Sequence, residues 1–140
     1  MMTGDYLPQE WRDRAFRARN GEMAWQRDDA LRVIPLLAAR DLAVLGGEVW
    51  HVDDRGRILA GIPLKDGGPA AVFHWEVEPE WDQKTEAWSR FCVRAAEYSA
   101  SAILGMHLEE EVRPDLRSGL LYNLTYVTRE AFDTLSRHRR

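Results

Sequence analysis

"LAVLGGEVWHVDDRGRI", residues Leu42 to Ile58, holds the pattern that decides the fold. Leu42 to Val52 carries the apolar and β-branched content of a strand, "DDRG" places Asp and Gly where turn chemistry wants them, and Arg57 to Ile62 returns antiparallel. The segment is a β-hairpin. Gly46 and Gly47 interrupt its first strand, although glycine loses the most backbone entropy on ordering and has no side chain to pack. With strand residues on both sides, the pair predicts a bulge or sharp bend where a close neighbour excludes a Cβ, re-aiming Glu48 and Trp50 beyond it. A phosphate loop is excluded, because "LGGE" lacks the glycine count and the lysine of one.

Outward from the hairpin, "PLKDGGP" (Pro63 to Pro69) is a second turn region, and "AAVFHWEV" after it predicts a third strand. Asp82 is an expected N-cap for a long helix, with Lys84, Trp88, Phe91, Ala95, Tyr98 and Ala102 forming one stripe at spacings of four and three, ended by Gly105. Burying Trp88, Phe91 and Tyr98 against a sheet would contribute roughly 1.5–3 kcal/mol each. After the polar excursion "HLEEEVRPDLRSG", "LLYNLTYV" is a fourth strand, with Leu121, Asn123 and Thr125 on one face and Tyr122, Leu124 and Tyr126 on the other. Thr128 caps a final short helix containing Ala131 and Phe132.

Before the hairpin, Pro8 to Asn20 predicts a short charged helix closed by Gly21. A second helix follows, with Asp28 and Asp29 in its first turn and Leu31, Ile34, Leu37 and Ala38 as its apolar stripe; Pro35 either kinks it or marks a start nearer Ile34, and a kink is the favoured reading. The order α-α-β-β-β-α-β-α gives an α+β fold: a small antiparallel sheet packed on one face by a long amphipathic helix, with N- and C-terminal helices beside it. No repeat or linker divides residues 1–140, so one domain is expected, with residues 1–20 as a helical extension packed on it.

Composition narrows the function classes. Hydrophobic residues are 45% and charged residues 30% of the 140, the balance of an ordinary globular chain. Apolar runs such as Leu42 to Leu45 and Ala70 to Phe73 are too short to cross a bilayer, and Met1 to Arg19 alternates charges rather than presenting a signal-peptide core, so no membrane association and a cytoplasmic location are expected. The single cysteine, Cys92, forms neither an internal disulfide nor a cysteine metal cluster. Net charge is −4, unevenly spread: residues 1–41 are neutral, residues 42–112 carry −7, and residues 113–140 carry +3. Nucleic acid is therefore disfavoured as a partner, since phosphate binding needs a basic stripe and the chain offers only the tip "RHRR". A cationic protein fits better.

Enzyme chemistry has one opening. If the strands paired suitably, His51, His74 and Glu76 would supply three ligands of an open zinc site, or a base with its orienting carboxylate. The spacing does not demand it, no nucleophile motif is present, and neither a catalytic residue nor a cofactor or metal is expected. A homodimeric structural or regulatory module, pairing through the strand at Leu120 to Val127 or through the Trp-rich segment, is the other alternative. The remaining unusual feature is an acidic stretch, Glu76, Glu78, Glu80, Asp82 and Glu86, threaded with Trp75, Trp81 and Trp88, and followed later by Glu109, Glu110 and Glu111. Acids at a helix start have a plain electrostatic use, but an acidic rim around indoles also suits protein docking. The candidate partner-binding residues are Glu48, Glu76, Glu78, Glu80, Trp81, Asp82, Glu109 and Glu110.

Four segments together, "LAVLGGEVWHV", "VFHWEVEPEW", "SRFCVRAAEYSASAI" and "LLYNLTYV", resemble the immunity protein 40 family of bacterial polymorphic-toxin systems. The glycine pair with its following acid and aromatic, and Trp75, carry most of the likeness, which spans Asp29 to Val127. What the resemblance implies is a small cytoplasmic α+β protein that binds and blocks a cognate toxin encoded beside it, as a monomer or homodimer, with no catalytic residues of its own. The segment Tyr6 to Asn20 has no counterpart in that likeness.

Overall fold

The computed structural model describes residues 6–78 and 80–138, with backbone only for Glu109 and residues 136–138. Its elements run α1 (Gln9–Arg14), β1 (Phe16–Arg17), β2 (Met23–Trp25), α2 (Arg27–Ala38), β3 (Ala43–Val52), β4 (Ile58–Leu59), β5 (His74–Glu76), α3 (Trp88–Gly105), α4 (Leu108–Glu111), a 3-10 turn (Pro114–Gly119), β6 (Leu120–Val127) and α5 (Arg129–His138). Every strand pairing is antiparallel, in the order β1-β2-β6-β3-β4, with β5 also hydrogen-bonded to β3. The long helix α3 packs on this sheet, and the fold is α+β.

β3 is the hub because it pairs with three strands: β6 runs along one edge, and β4 and β5 share the other. The register with β6 slips between Val44 and Gly46, so the expected bulge is present. Its cause is steric. A Cβ on Gly46 would strike the carbonyl oxygen of Trp75, and one on Gly47 would strike the carbonyl of Asn123 and the ring of Trp75. Gly47 pairs directly with Trp75 across the ladder, and the indole fills the space that a side chain at Gly47 would otherwise claim. At the bulge, the carbonyl of Val44 accepts the Ser99 hydroxyl of α3 at 3.3 Å, and that hydroxyl in turn accepts the Trp75 indole N–H at 3.0 Å. Two glycines, an indole and a serine thus lock sheet to helix with no buried polar atom of this group left unpaired.

The core lies between the sheet and the helices. Val49, Trp75, Tyr122, Leu124, Tyr126 and Trp25 face α2 and α3, which contribute Val33, Ile34, Leu37, Phe91, Cys92 and Ile103. Burial pushes the Cys92 thiol up to about 12, so it stays protonated and acts as a small apolar side chain. Trp81, Trp88, Phe91 and Phe132 meet edge-to-face, tilted or, for Trp81 and Phe91, stacked, with ring centroids 5.0 to 6.4 Å apart, and close one end of the core beneath α5.

Several expectations need correction. The N-terminal segment is not one helix to Asn20: α1 stops at Arg14, and β1 and β2 form a hairpin around Asn20-Gly21, adding two strands to the sheet. Arg14 grips the buried Asp29 carboxylate with two bonds of 2.9 Å and ties α1 to the first turn of α2. α2, by contrast, is as expected: it runs from Arg27 to Ala38 with Asp28 and Asp29 in its first turn and Pro35 inside it. The long helix begins at Trp88, six residues after Asp82, which instead organises a separate turn by accepting the Lys84 amide on its side chain and the Glu86 amide on its carbonyl. Tyr98 is half exposed rather than core. At 100° per residue it sits about 90° from the centre of the buried stripe, and Ser99 takes the inward position because its hydroxyl has two partners there. The return strand and third strand shrink to Ile58–Leu59 and His74–Glu76.

Candidate partner-binding surface

Alternation along β5 separates two classes of side chain. Trp75 and its neighbours Phe73 and Val77 turn toward α3 and the core, whereas His74 and Glu76 stand exposed on the opposite face. The same sorting continues beyond the strand. Glu78, Glu80 and Asp82 are exposed, while Trp81 is half buried: its indole N–H donates to the Glu86 carbonyl at 2.8 Å, its ring meets Trp88, and the Arg129 guanidinium lies 5.1 Å above its centre. Trp88 is buried and donates its N–H to the Asp41 carbonyl at 2.7 Å. Acid and indole alternate in sequence, but every indole of this stretch is engaged with the core and the carboxylates are left outside.

Not all the acids are equally available. Arg94 holds Glu86 through two hydrogen bonds of 2.9 and 3.1 Å and binds the Glu80 carbonyl at 2.8 Å, which pins residues 80–86 against the first turns of α3. The same bonds keep the Glu86 carboxyl below the usual carboxylate range. Among the described residues, Glu76, Glu78, Glu80 and Asp82 make no ion pair. Glu48 is half buried on the same sheet face as His74, its register partner, and accepts the Trp50 indole N–H at 2.6 Å. The bulge thus aims Glu48 first at its own neighbour.

The later acidic run is elsewhere. Glu110 lies in α4, just past the C-terminal end of α3, and α3 is about 27 Å long, so Glu110 and the Glu78–Asp82 segment sit toward opposite ends of that helix. The expected continuity between the two runs is not there. The side chains of Glu109 and of residues 137–138, and residues 139–140 altogether, lie outside what the structure describes, and with them most of the basic tip.

The metal and acid/base set does not assemble. His74 and Glu76 lie opposite Glu48 and Gly46 in the register, and His51 is an odd number of residues from Glu48, so it projects from the other face. His51 is buried beside Gly119, with Nδ1 lacking a partner, and its environment also includes Asp115, whose carboxyl is held low by hydrogen bonds from Arg113. No group of three or more His, Cys, Asp or Glu suited to a metal occurs among the described residues. Pairing through Leu120 to Val127 as an edge strand is also corrected: β6 is central, bonded to β2 on one side and β3 on the other. An open cleft of about 480 Å³ lies where α2 ends and α3 and α5 begin, but Arg40 and Arg129 are balanced there by Asp41 and Glu130. No helix among the described residues is long and apolar enough to cross a membrane.

Comparison with protein-family models, curated proteins and solved structures finds no match.

The feature that sequence reasoning missed is the free edge of β5. Two backbone bonds, Val49 N–H to the Phe73 carbonyl and Val77 N–H to the Leu45 carbonyl, fix residues 73, 75 and 77 as the ones facing β3. The amides and carbonyls of His74 and Glu76 therefore point away from the sheet. A period of two was legible in "AAVFHWEV", but which edge of the strand stays open depends on pairing partners that come from elsewhere in the chain.

Proposed function

We propose that this chain is an immunity protein that binds and neutralises a basic bacterial toxin domain through the acidic surface running from Glu76 to Asp82. The observation that carries the reading is the row of exposed carboxylates at 76, 78, 80 and 82 without ion pairs, set in the region of the sequence that carries −7. Ion pairing within the fold does not account for these four: Glu86 meets Arg94 and Asp29 meets Arg14, whereas none of the four forms an ion pair among the described residues, although Asp82 also accepts the Lys84 amide and Glu80 lies in the field of Arg94. Likeness of the glycine hairpin and the Trp75 segment to the immunity protein 40 family supports the same reading independently of charge. A basic partner would be drawn to such a surface, with association raised by roughly ten- to a thousandfold at low salt. The blocking step is physical occlusion of the toxin, and no residue of this chain performs chemistry in it.

Co-expression with the toxin domain of the adjacent gene tests this reading. The expected outcome is protection of the host from that toxin and recovery of a stoichiometric complex with an affinity tag on either partner. A host killed equally with and without this protein, and no complex, would contradict it.

A further inference from the structure

The open edge of β5 extends beyond the three residues of the strand itself. Ala71 exchanges both backbone bonds with Ile62, at 2.8 and 3.0 Å, and residues 73 and 77 bond toward β3. From 71 to 77 the odd-numbered residues thus direct their amides and carbonyls into the protein, and the even-numbered ones, Val72, His74 and Glu76, direct theirs outward. Among the described residues β5 pairs with β3 alone, and the side chains of Val72, His74 and Glu76 are all exposed, Val72 by 58%. An extended backbone with a free row of donors and acceptors is a template for one more strand.

We infer that β5 is a strand-addition site, and that its occupant is an extended, basic segment of a protein partner, which lies along Val72 to Glu78 as a further strand of the sheet. This rests on the partner-binding reading above and names the mode of contact: main-chain hydrogen bonds at His74 and Glu76 would supply attachment, while side chains would select the partner. Selection follows from the edge's own sequence. Glu76 and Glu78 flank one half of it, with Glu80 and Asp82 just beyond, so a strand with Lys or Arg at alternate positions meets opposite charge across the new pair. Val72 at the other end favours an apolar residue. A second copy of this chain fits less well, because antiparallel pairing centred on Glu76 would set that carboxylate directly against its own copy.

Titration of the isotope-labelled protein with a capped hexapeptide alternating lysine and valine tests the inference without any toxin, at about 10 mM ionic strength where charges act over about 30 Å. Saturable shifts of the His74 and Glu76 amide resonances, larger than that of the ladder-bonded Trp75 amide, are expected. A peptide alternating glutamate and valine, or the basic peptide with its backbone amides methylated, should leave them unmoved. Glu76→Pro removes an outward amide while sparing the ladder to β3, and should abolish the response with the Trp75 indole resonance unchanged; Glu76→Gln, which keeps the amide and loses the charge, gives the check should the proline variant fail to fold, and should weaken the response. Absent shifts at His74 and Glu76, equal binding of the acidic peptide, or peptide-independent dimerisation that occupies this edge would each overturn the inference. None of these results depends on whether the adjacent toxin is neutralised, so the two readings fail separately.

Discussion

The crossing of β3 and β5 at Gly47 and Trp75 and the segment from Glu76 to Asp82 lie next to each other in the chain, and they differ in how much of their chemistry the fold consumes. At the crossing everything is used: the glycines admit the Trp75 backbone and ring, the indole N–H meets Ser99, and Ser99 meets Val44. Along the acidic segment the indoles are used in the same way, but the carboxylates of Glu76, Glu78 and Glu80 and the outer backbone of β5 are not, and Asp82 is used only for the turn at Lys84. An oddity of sequence is therefore weak evidence of binding until its internal partners are known. The glycine pair looks like a ligand loop and is a packing device; the plain-looking acids are what the packing leaves over.

The largest expected effect that would break this contrast is at the crossing. Gly47→Ala places a methyl against the Asn123 carbonyl and the Trp75 ring, and should destabilise the protein by about 3 kcal/mol in denaturant unfolding. A loss near zero would mean that the strand is not held as described. Ser99→Ala strips the Trp75 indole and the Val44 carbonyl of their shared partner and should cost about 2 kcal/mol, with the fold retained. At the acidic segment, Glu86→Gln sharpens the distinction between paired and unpaired acids. The folded Glu86 carboxyl titrates below its unfolded value, so its contribution is present above about pH 4.3 and fades as the pH falls through the lowered value. The variant should show a shallower loss of thermal stability on acidification than the parent, and an unchanged slope would count against the Arg94 contact. Smallest of all, charge reversal at Glu78 and Glu80 should alter stability by no more than about 0.5 kcal/mol per site, since these side chains are exposed and make no ion pair among the described residues, whereas reversal at Asp82 also removes the acceptor of the Lys84 amide and should cost about 1 kcal/mol.

Legibility followed chain-local physics. The hairpin at Asp53 to Gly56, the bulge at Gly46, the strand Leu120–Val127 and the Thr128 cap, whose hydroxyl accepts the Ala131 amide at 3.1 Å, all depend on residues a few positions apart and were readable. The β1–β2 hairpin was not read, although Asn20-Gly21 between short apolar runs is the strongest local hairpin signal available; the charged, helix-like composition of residues 8–19 concealed it. Tyr98 was placed in the buried stripe by spacing and apolarity alone, and only the Trp75 indole, 24 residues earlier in the chain, gives its neighbour Ser99 the inward place. For the candidate site, the exposed acids were visible as a run, but the inward turn of Trp81, the opposed faces of His51 and His74, and the free edge of β5 all follow from pairing registers. Those registers are set by contacts distant in sequence.

The central claim, that the exposed carboxylates without ion pairs are what meets the partner, is tested most directly by stopped-flow association of the toxin domain proposed as that partner with the parent and with the Glu78→Lys, Glu80→Lys, Asp82→Lys triple variant across a salt series. Association at low salt should slow by about tenfold or more in the variant, with a much flatter dependence on salt. Equal rates and equal salt slopes for the two proteins would contradict it.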